Sequence, residues 1–329
     1  MADANTVPTA SGVFNHLILS YLVFFFNKSG LFPLFGAGVS VKELLENYQF
    51  DPPRLRKILA TATALGVLEA QDGLYQLTPL GEDLERNRGF FTWAIGGYSP
   101  LLESMDLFLD APASSWRPYV RGDYVAIGSD EANKEIMQPT IDRVIDELPA
   151  KVVADLGCGN AGRLIKLLHR RPDLTGVGID IDPQAITVAA QNRDRHGLAP
   201  RLSLVRENVF SALSSPQPEL ADVELVMSFM MLHDLFNIKE LEGNLFPRLR
   251  ASFPRAKYFV LADTCLDESI RPGSAAPIFT LGYELIHALR GIQVFPLSHY
   301  QNQFAASGFR LLARHDLGVP NTHLFILGA

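Results

Sequence analysis

The stretch V-V-A-D-L-G-C-G-N-A-G, residues 152–162, decides the fold of this chain. Its first five residues are mostly apolar and include two β-branched valines, which predicts a buried strand, and the apolar-periodic segment 163–168 predicts a helix. Between them, Gly157 and Gly159 let the backbone turn tightly and approach a ligand closely, because neither carries a Cβ atom. A strand, a glycine turn and a helix in this order are typical of a nucleotide-type binding site.

The acid ahead of this turn distinguishes between two nucleotide cofactors. In a dinucleotide site the pyrophosphate rests on the helix N-terminus, and the carboxylate of Asp155 would repel it. The same carboxylate suits a cationic ligand, such as the amino group of S-adenosylmethionine. The next predicted strand ends in Asp180, at the distance expected for an acid that holds ribose hydroxyls, and Asn208 follows a third strand, where it can contact an adenine edge. The predicted cofactor-binding residues are Asp155, Gly157, Gly159, Asp180, Ile181, Asn208, Val209 and Ser228.

Two motifs carry a resemblance to a known family. The run D-L-G-C-G-N-A-G at 155–162, followed by G-I-D-I-D-P at 178–183, resembles the class I S-adenosylmethionine-dependent methyltransferases. The resemblance extends from about residue 150 to the end of the chain and implies an α/β fold with a Rossmann-like sheet. Asn208 departs from the pattern, since many relatives carry Asp there. The alternative is a glycine-rich turn in another α/β domain, with Asp180 capping a helix.

Strand and helix patterns alternate beyond residue 150, which predicts a parallel sheet. The last two predicted strands, 309–316 and 323–327, are joined by a short turn. This spacing is consistent with the antiparallel hairpin that ends the methyltransferase sheet.

Composition sets broad limits on the kind of protein. A chain of 329 residues suggests two domains, and 47% hydrophobic residues are enough for a large core. The net charge of -7 argues against a nucleic-acid partner. The two cysteines, Cys158 and Cys265, make a disulfide framework unexpected and fit a reducing cytoplasm. The longest apolar run of the N-terminal segment, 17–26, is too short to span a membrane, so we expect a cytoplasmic protein without a membrane partner.

The first hundred residues predict a helical module. Residues 13–35 are strongly apolar and aromatic, and a helix that is apolar on all sides must be buried, either against a partner subunit or in the core of the monomer. Two further helices, 41–48 and 53–65, precede a hairpin at 67–77, which together indicate a winged helix. DNA binding would require a more basic segment. Plant and bacterial O-methyltransferases are similar at their N-terminus, which implies a homodimer instead.

We therefore predict three parts. Residues 1–98 form a winged-helix-like dimerisation and lid domain, 99–149 form a helical connector over the active site, and 150–329 form the S-adenosylmethionine-binding catalytic domain.

Chemistry is expected just after the fourth strand, 223–228, because ligands bind at the carboxyl ends of parallel strands. That strand leads into F-M-M-L-H-D-L-F at 229–236, which contains His233 and Asp234. Plant O-methyltransferases carry their catalytic histidine at the place that His233 matches, where it acts as general base on a hydroxyl. The alternative is a histidine that belongs to the core.

A second segment points to a different acceptor. In the predicted helix 278–291, Glu284 and His287 share one face. The combination of L-H-D with F-T-L-G-Y-E-x-x-H resembles the metal-dependent 2-oxo acid C-methyltransferases of the phenylpyruvate type. The resemblance implies that His233 and His287 bind one metal ion, iron or zinc, with Asp234 beside them. It also implies an arginine for the substrate carboxylate and a pocket wall, for which the candidates are Arg121, Trp93, Met230 and Glu284; Arg121 and Trp93 are equally well explained as structural residues, and Glu284 as part of a solvated helix face.

The reaction implied is methylation of the C3 carbon of a small-molecule 2-oxo acid in natural-product biosynthesis. That carbon becomes nucleophilic only after it loses a proton, and a chelating metal would act as Lewis acid to give a metal-bound enolate. The base stays open between Asp234 and metal-bound hydroxide. Two other functions remain: a metal-free O-methyltransferase with His233 as general base, and a winged-helix regulator that binds S-adenosylmethionine, against which the charge argues.

Overall fold

The computed structural model describes residues 9–110, 113–213, 218–274 and 276–329. These residues form two compact units, which divide after residue 136; the short segment 270–276 belongs to the first unit and the rest of the C-terminal part to the second. The predicted connector, 99–149, is therefore divided between the units. Its last helix belongs to the second unit because Ile141, Val144 and Ile145 are buried in one of that unit's hydrophobic clusters.

The first unit is mostly helical, with one small antiparallel sheet whose strand order is β1-β3-β2. Asp72 and Gly73 both adopt positive φ angles in the β2–β3 hairpin, as the Q-D-G turn predicts. The helical N-terminal region is thus confirmed, while its assignment as a winged helix stays a prediction. The helices and strands are α1 (Ala10–Lys28), α2 (Phe32–Ala37), β1 (Val39–Ser40), α3 (Val41–Asn47), α4 (Pro52–Ala64), β2 (Leu68–Gln71), β3 (Leu74–Leu77), α5 (Pro79–Arg86), α6 (Arg88–Phe91), α7 (Tyr98–Glu103) and α8 (Gly122–Ala132).

Helix α1 exposes much of its apolar surface within one chain. Only Val23 and Phe26 are buried, whereas Phe14 and Leu17 are 64% and 51% exposed. The alternative of a core helix of the monomer therefore holds only for the second half of α1, where Leu19, Leu22 and Phe25 pack with the two buried residues in a hydrophobic cluster of the first unit. Helix α1 is also, in the part of the chain that the structure describes, the one helix long and apolar enough to cross a membrane. The length argument against a span was wrong, because the helix continues well beyond the apolar run at 17–26.

The second unit contains a seven-stranded sheet of order β6-β5-β4-β7-β8-β10-β9. Neighbouring strands from β6 to β8 are parallel, and β10 is antiparallel to both β8 and β9. Both the predicted parallel sheet and its terminal hairpin are confirmed. Its elements are α9 (Gln138–Glu147), β4 (Val152–Leu156), α10 (Gly162–Arg170), β5 (Thr175–Asp180), α11 (Pro183–Arg195), β6 (Leu202–Arg206), α12 (Val209–Ala212), β7 (Leu225–Phe229), α13 (Leu232–Phe236), α14 (Leu245–Ser252), β8 (Tyr258–Thr264), α15 (Thr280–Leu289), α16 (Leu297–Ala306), β9 (Arg310–Asp316) and β10 (Thr322–Gly328).

The sheet positions the site through its strand order. From β4 the chain passes outward to β5 and β6, then returns to the other side of β4 with β7. Adjacent connections leave β4 in opposite directions, so a crevice opens between the carboxyl ends of β4 and β7. Side chains alternate between the two faces, and Phe259 and Val260 of β8 enter separate hydrophobic clusters.

Candidate active site

The glycine turn after β4 has the backbone geometry that its sequence predicts. Gly157 and Gly159 have φ angles of +76° and +55°, a region that residues with a Cβ atom adopt at a cost. The backbone N–H groups of Gly157 and Cys158 donate to the Ile179 carbonyl, at 2.8 and 3.0 Å. These bonds attach the turn to the end of β5.

Asp180 also stabilises the glycine turn, through a hydrogen bond to its backbone. One carboxylate oxygen accepts from the Gly159 N–H at 2.8 Å, and the other accepts from the Asp182 N–H at 2.9 Å. The alternative that Asp180 caps a helix is wrong, because Asp182 is the N-cap of α11 and accepts from the Gln184 N–H at 2.7 Å. The predicted contact of Asp180 with ribose hydroxyls stays a prediction.

Asp155 is a buried carboxylate at the crevice between β4 and β7. Within the described ranges, its Oδ1 atom has no hydrogen-bond partner, and neither does the buried Oγ atom of Ser228 on β7. Burial raises the pKa of Asp155 to about 6, although the positive charge of Arg163 opposes the shift. Buried polar atoms without partners are costly, so both atoms fit a site that receives the polar groups of a cofactor.

The other predicted cofactor residues occupy the carboxyl ends of neighbouring strands. Asn208 is the N-cap of α12 and accepts from the Phe210 N–H at 2.9 Å. Val209 is buried, whereas Ile181 after β5 is 61% exposed. These placements follow the predicted strand ends. The adenine contact of Asn208 and the cofactor contacts of Val209 and Ile181 stay predictions.

His233 is buried at the start of α13 and is held by an acid that the sequence analysis missed. Its Nδ1 atom lies 2.7 Å from Oδ1 of Asp263, and its backbone N–H donates to Oδ2 of the same carboxylate at 2.7 Å. Asp263 is fully buried near the end of β8 and also accepts from the Thr264 N–H and the Tyr300 hydroxyl. The available signal was an acid near the carboxyl end of β8, which neighbours β7 in the sheet.

The charge of Asp263 determines how His233 ionises. Burial by itself would lower the pKa of His233, but the carboxylates of Asp263 and Asp234 outweigh it and raise the pKa above its usual value. With the Nδ1 proton donated to Asp263, Nε2 is the nitrogen left for a substrate or a metal. One oxygen of Asp234 lies 3.7 Å from this Nε2 atom.

Helix α15 brings the second predicted ligand to His233. His287 donates from Nδ1 to the Tyr283 carbonyl at 2.7 Å, and its ring centroid lies 4.8 Å from that of His233. Burial, the neighbouring His233 and the charge of Arg290 lower the pKa of His287 to about 2, so the ring is neutral. The Tyr283 hydroxyl lies 3.1 Å from Nδ1 of His233. The two predicted metal ligands are therefore close together in one unit.

The fit of a metal ion is partial. Among the residues that the structure describes, no group of three or more His, Cys, Asp or Glu residues is arranged to hold one. The imidazoles of His233 and His287 nevertheless have Nδ1 fixed by an oxygen acceptor, which is the pattern of histidines that ligate through Nε2. Such a pair fits an ion that takes its other ligands from substrate and water. Nε2 of His287 accepts from Arg290 at 3.1 Å, a contact that a metal would have to displace.

The predicted pocket residues are divided between the units. Glu284 is half-buried and accepts from the Asp267 N–H at 3.1 Å, and Met230 accepts from the Thr264 hydroxyl at 3.8 Å. Trp93 is buried in the first unit and packs against Tyr98, with ring centroids 4.6 Å apart. Arg121, also in the first unit, precedes α8 with an exposed side chain. The pocket roles of all four stay predictions.

Comparison with known proteins identifies the class of enzyme. Residues 148–270 match a family described as a methyltransferase domain. With the seven-stranded sheet and the glycine turn, this match shows that the chain contains a class I S-adenosylmethionine-dependent methyltransferase domain. The chain is 27% identical to the indolepyruvate C-methyltransferase of Streptomyces griseus over 96% of this chain and 94% of that one. It is also 29% identical to the methyltransferase ungE' of Aspergillus campestris over 84% and 83% of the two chains.

Solved structures share the whole architecture. An O-methyltransferase family protein from Burkholderia thailandensis superposes with a TM-score of 0.68 at 16% identity, covering 98% of each chain. Human N-acetylserotonin methyltransferase, solved in complex with S-adenosylmethionine, has a TM-score of 0.68 at 15% identity and covers 97% and 96%. These similarities confirm the Rossmann-like methyltransferase fold with its helical N-terminal region.

Proposed function

We propose that this methyltransferase acts on the C3 carbon of a 2-oxo acid, in natural-product biosynthesis. The observation that carries the proposal is the pairing of His233 with His287, whose Nδ1 atoms are both directed to oxygen acceptors. A metal ion held by two such imidazoles would keep coordination positions open for a chelating acceptor. A histidine that acts alone as a catalytic base would not require a second histidine beside it. The similarity of nearly the whole chain to a protein named indolepyruvate C-methyltransferase supports the same class of acceptor.

In this proposal four aspartates of the site each have one role. Asp155 binds the amino group of S-adenosylmethionine, Asp180 holds the ribose, and Asp263 keeps the His233 proton on Nδ1. Asp234, with its carboxylate 3.7 Å from Nε2 of His233, accepts the C3 proton. The carbon then takes the methyl group from the sulfonium, and S-adenosylhomocysteine leaves as the second product.

A metal ion would complete this site. His233 and His287 would hold iron or zinc, and the ion would supply Lewis acidity to the carboxylate and 2-oxo oxygens of the substrate.

The Asp263–His233 pair also supports a second function, O-methylation without a metal. A histidine whose Nδ1 is held by a buried carboxylate is oriented to take a hydroxyl proton at Nε2. Two of the structures with this fold are named O-methyltransferases, which supports a hydroxyl acceptor as the alternative.

Metal content separates the two functions. We expect roughly one iron or zinc per chain in purified wild-type protein by elemental analysis, and loss of that metal in both His233→Ala and His287→Ala, because each variant removes one of two ligands. His315→Ala, on the edge strand β9, is the matched control and should keep the metal. Wild-type protein that stays metal-free after reconstitution would rule out the C-methylation mechanism, and phenols would then be tested as acceptors.

We also propose that the enzyme is a cytoplasmic homodimer in which the exposed face of α1 contacts a second copy. Val13, Phe14, Leu17 and Tyr21 expose large apolar surfaces there, and covering such a patch is favourable by about 25 cal/mol per Å² of apolar area. The double variant Phe14→Glu and Leu17→Glu is therefore expected to be monomeric in light scattering, while wild type is dimeric. Leu312→Glu, on β9, is the control. A wild-type monomer, or protein that remains in the membrane fraction without detergent, would contradict this proposal.

A further inference from the structure

Arg290 contacts two residues of the proposed site, His287 and Asp234, although the sequence motifs did not select it. It follows α15 directly and lies three residues beyond His287, so both side chains share one helix face. Its Nη1 atom lies 3.1 Å from Nε2 of His287, and its Nη2 atom lies 3.9 Å from the Asp234 carboxylate. The Arg290 side chain is only 14% exposed.

The hydrogen-bond direction at His287 is determined by its neighbours. Nδ1 donates to the Tyr283 carbonyl, so Nε2 carries the lone pair of the ring. A guanidinium group only donates and keeps its charge at all ordinary pH values. Arg290 therefore donates to the same nitrogen lone pair that a metal ion would need.

A metal at His287 would separate this pair and leave two positive charges side by side. That arrangement is unfavourable in a buried site unless an anion enters with the metal. A carboxylate matches the planar fork of a guanidinium, with two parallel hydrogen bonds. The 2-oxo acid of the proposed function carries such a group next to the oxygen that a metal would polarise.

We propose that Arg290 exchanges partners during loading: it leaves Nε2 of His287 and binds the substrate carboxylate, so that acid and metal bind cooperatively. This inference rests on the proposed function and deepens it, because it makes Arg290 the residue that selects an α-carboxylate. Linkage makes the effect reciprocal, so the acid tightens metal binding by the same factor by which the metal tightens acid binding.

The test is a calorimetric titration of metal-free protein with Zn²⁺, with and without saturating phenylpyruvate. In wild type we expect the acid to tighten zinc binding about tenfold or more, because allosteric couplings of this kind typically reach that size. In Arg290→Gln, zinc alone should bind more tightly than in wild type, since the competing donor is weaker, and the acid should add little. Arg290→Lys keeps the charge without the fork and should retain only part of the coupling.

Two controls keep the result interpretable. Arg250→Gln, whose side chain stacks on Phe309, removes an arginine elsewhere in the same unit and should behave as wild type. Unchanged affinity for S-adenosylmethionine shows that each variant is folded. Two results would overturn the role of Arg290 and leave the proposed function standing. In the first, phenylpyruvate tightens zinc binding in Arg290→Gln as much as in wild type. In the second, Arg121→Gln, and not Arg290→Gln, abolishes the effect of phenylpyruvate on zinc binding. If wild type binds no zinc under either condition, the proposed function fails and this inference with it.

Discussion

Replacing Asp263 with asparagine should lower kcat by about a thousandfold, as expected when a catalytic histidine loses the carboxylate that sets its tautomer. In wild type both oxygens of Asp263 accept from His233, one from Nδ1 and one from the backbone N–H. An asparagine presents one oxygen and one NH₂ group. Whichever way it is oriented, one donor then faces another donor.

The loss should arise from His233 and not from global unfolding. In the orientation that places NH₂ against Nδ1, the ring proton moves to Nε2 and blocks the atom that must bind a metal or accept a proton. Tyr300→Phe is the matched control, because it removes one of the donors to Asp263 and leaves both contacts with His233. We expect its kcat to fall less than about tenfold. The test is the steady-state kcat of variants whose circular dichroism is normal. An Asp263→Asn enzyme with near wild-type kcat would disprove the role of Asp263 in orienting His233.

Replacing Asp155 with asparagine should have opposite effects on stability and on cofactor binding. The folded-state pKa of Asp155, about 6, lies above the ordinary aspartate value of 3.8. Between pH 3.8 and about 6, Asp155 therefore binds more protons in the folded protein than in the unfolded chain. As a result, the contribution of Asp155 to the stability of the ligand-free protein falls as pH rises through this range. At pH 8 the ionised, buried carboxylate costs about 3 kcal/mol, which Asp155→Asn should recover in large part.

The pH dependence and a neighbouring acid provide the checks. Denaturant unfolding without cofactor should find Asp155→Asn more stable than wild type at pH 8, with no advantage near pH 4, where the carboxyl is mostly protonated when folded. Its affinity for S-adenosylmethionine should fall about 10- to 100-fold, the effect of losing one charge-assisted hydrogen bond. Asp180→Asn should instead lose stability, because both Asp180 oxygens accept backbone hydrogen bonds. Equal stability of Asp155→Asn and wild type at pH 8 would show that another group neutralises the buried charge.

Much of the fold could be predicted because local patterns and the final structure agree. The last two strands were predicted at 309–316 and 323–327, and they lie at Arg310–Asp316 and Thr322–Gly328. The glycines of the turn adopt the positive φ angles that their lack of a Cβ atom allows. Which surface packs against α1 was not predictable in the same way. An apolar helix must be buried against some surface, but its sequence does not specify which one.

The site was predicted less completely, for a physical reason. His233 and His287 were identified from short motifs, and the structure places their rings 4.8 Å apart. Asp263 and Arg290 lack such a motif. Asp263 contacts His233, which lies 30 residues away in sequence. Arg290 is close to His287 in sequence but outside the motif, and its role depends on the contacts that it makes in space with His287 and Asp234.

The sequence by itself determined the class of protein, the cofactor turn and the alternation of strands and helices, because hydrophobic periodicity and glycine positions act over a few neighbouring residues. Only the tertiary structure decided which polar groups face one another. Parallel strands β7 and β8 bring Asp263 next to His233, and α15 places His287 beside the His233 ring with Arg290 in contact with His287. Burial strengthens the effect of these contacts on the hydrogen-bond direction and charge of each group, because both depend on neighbours in space and not on neighbours in the chain.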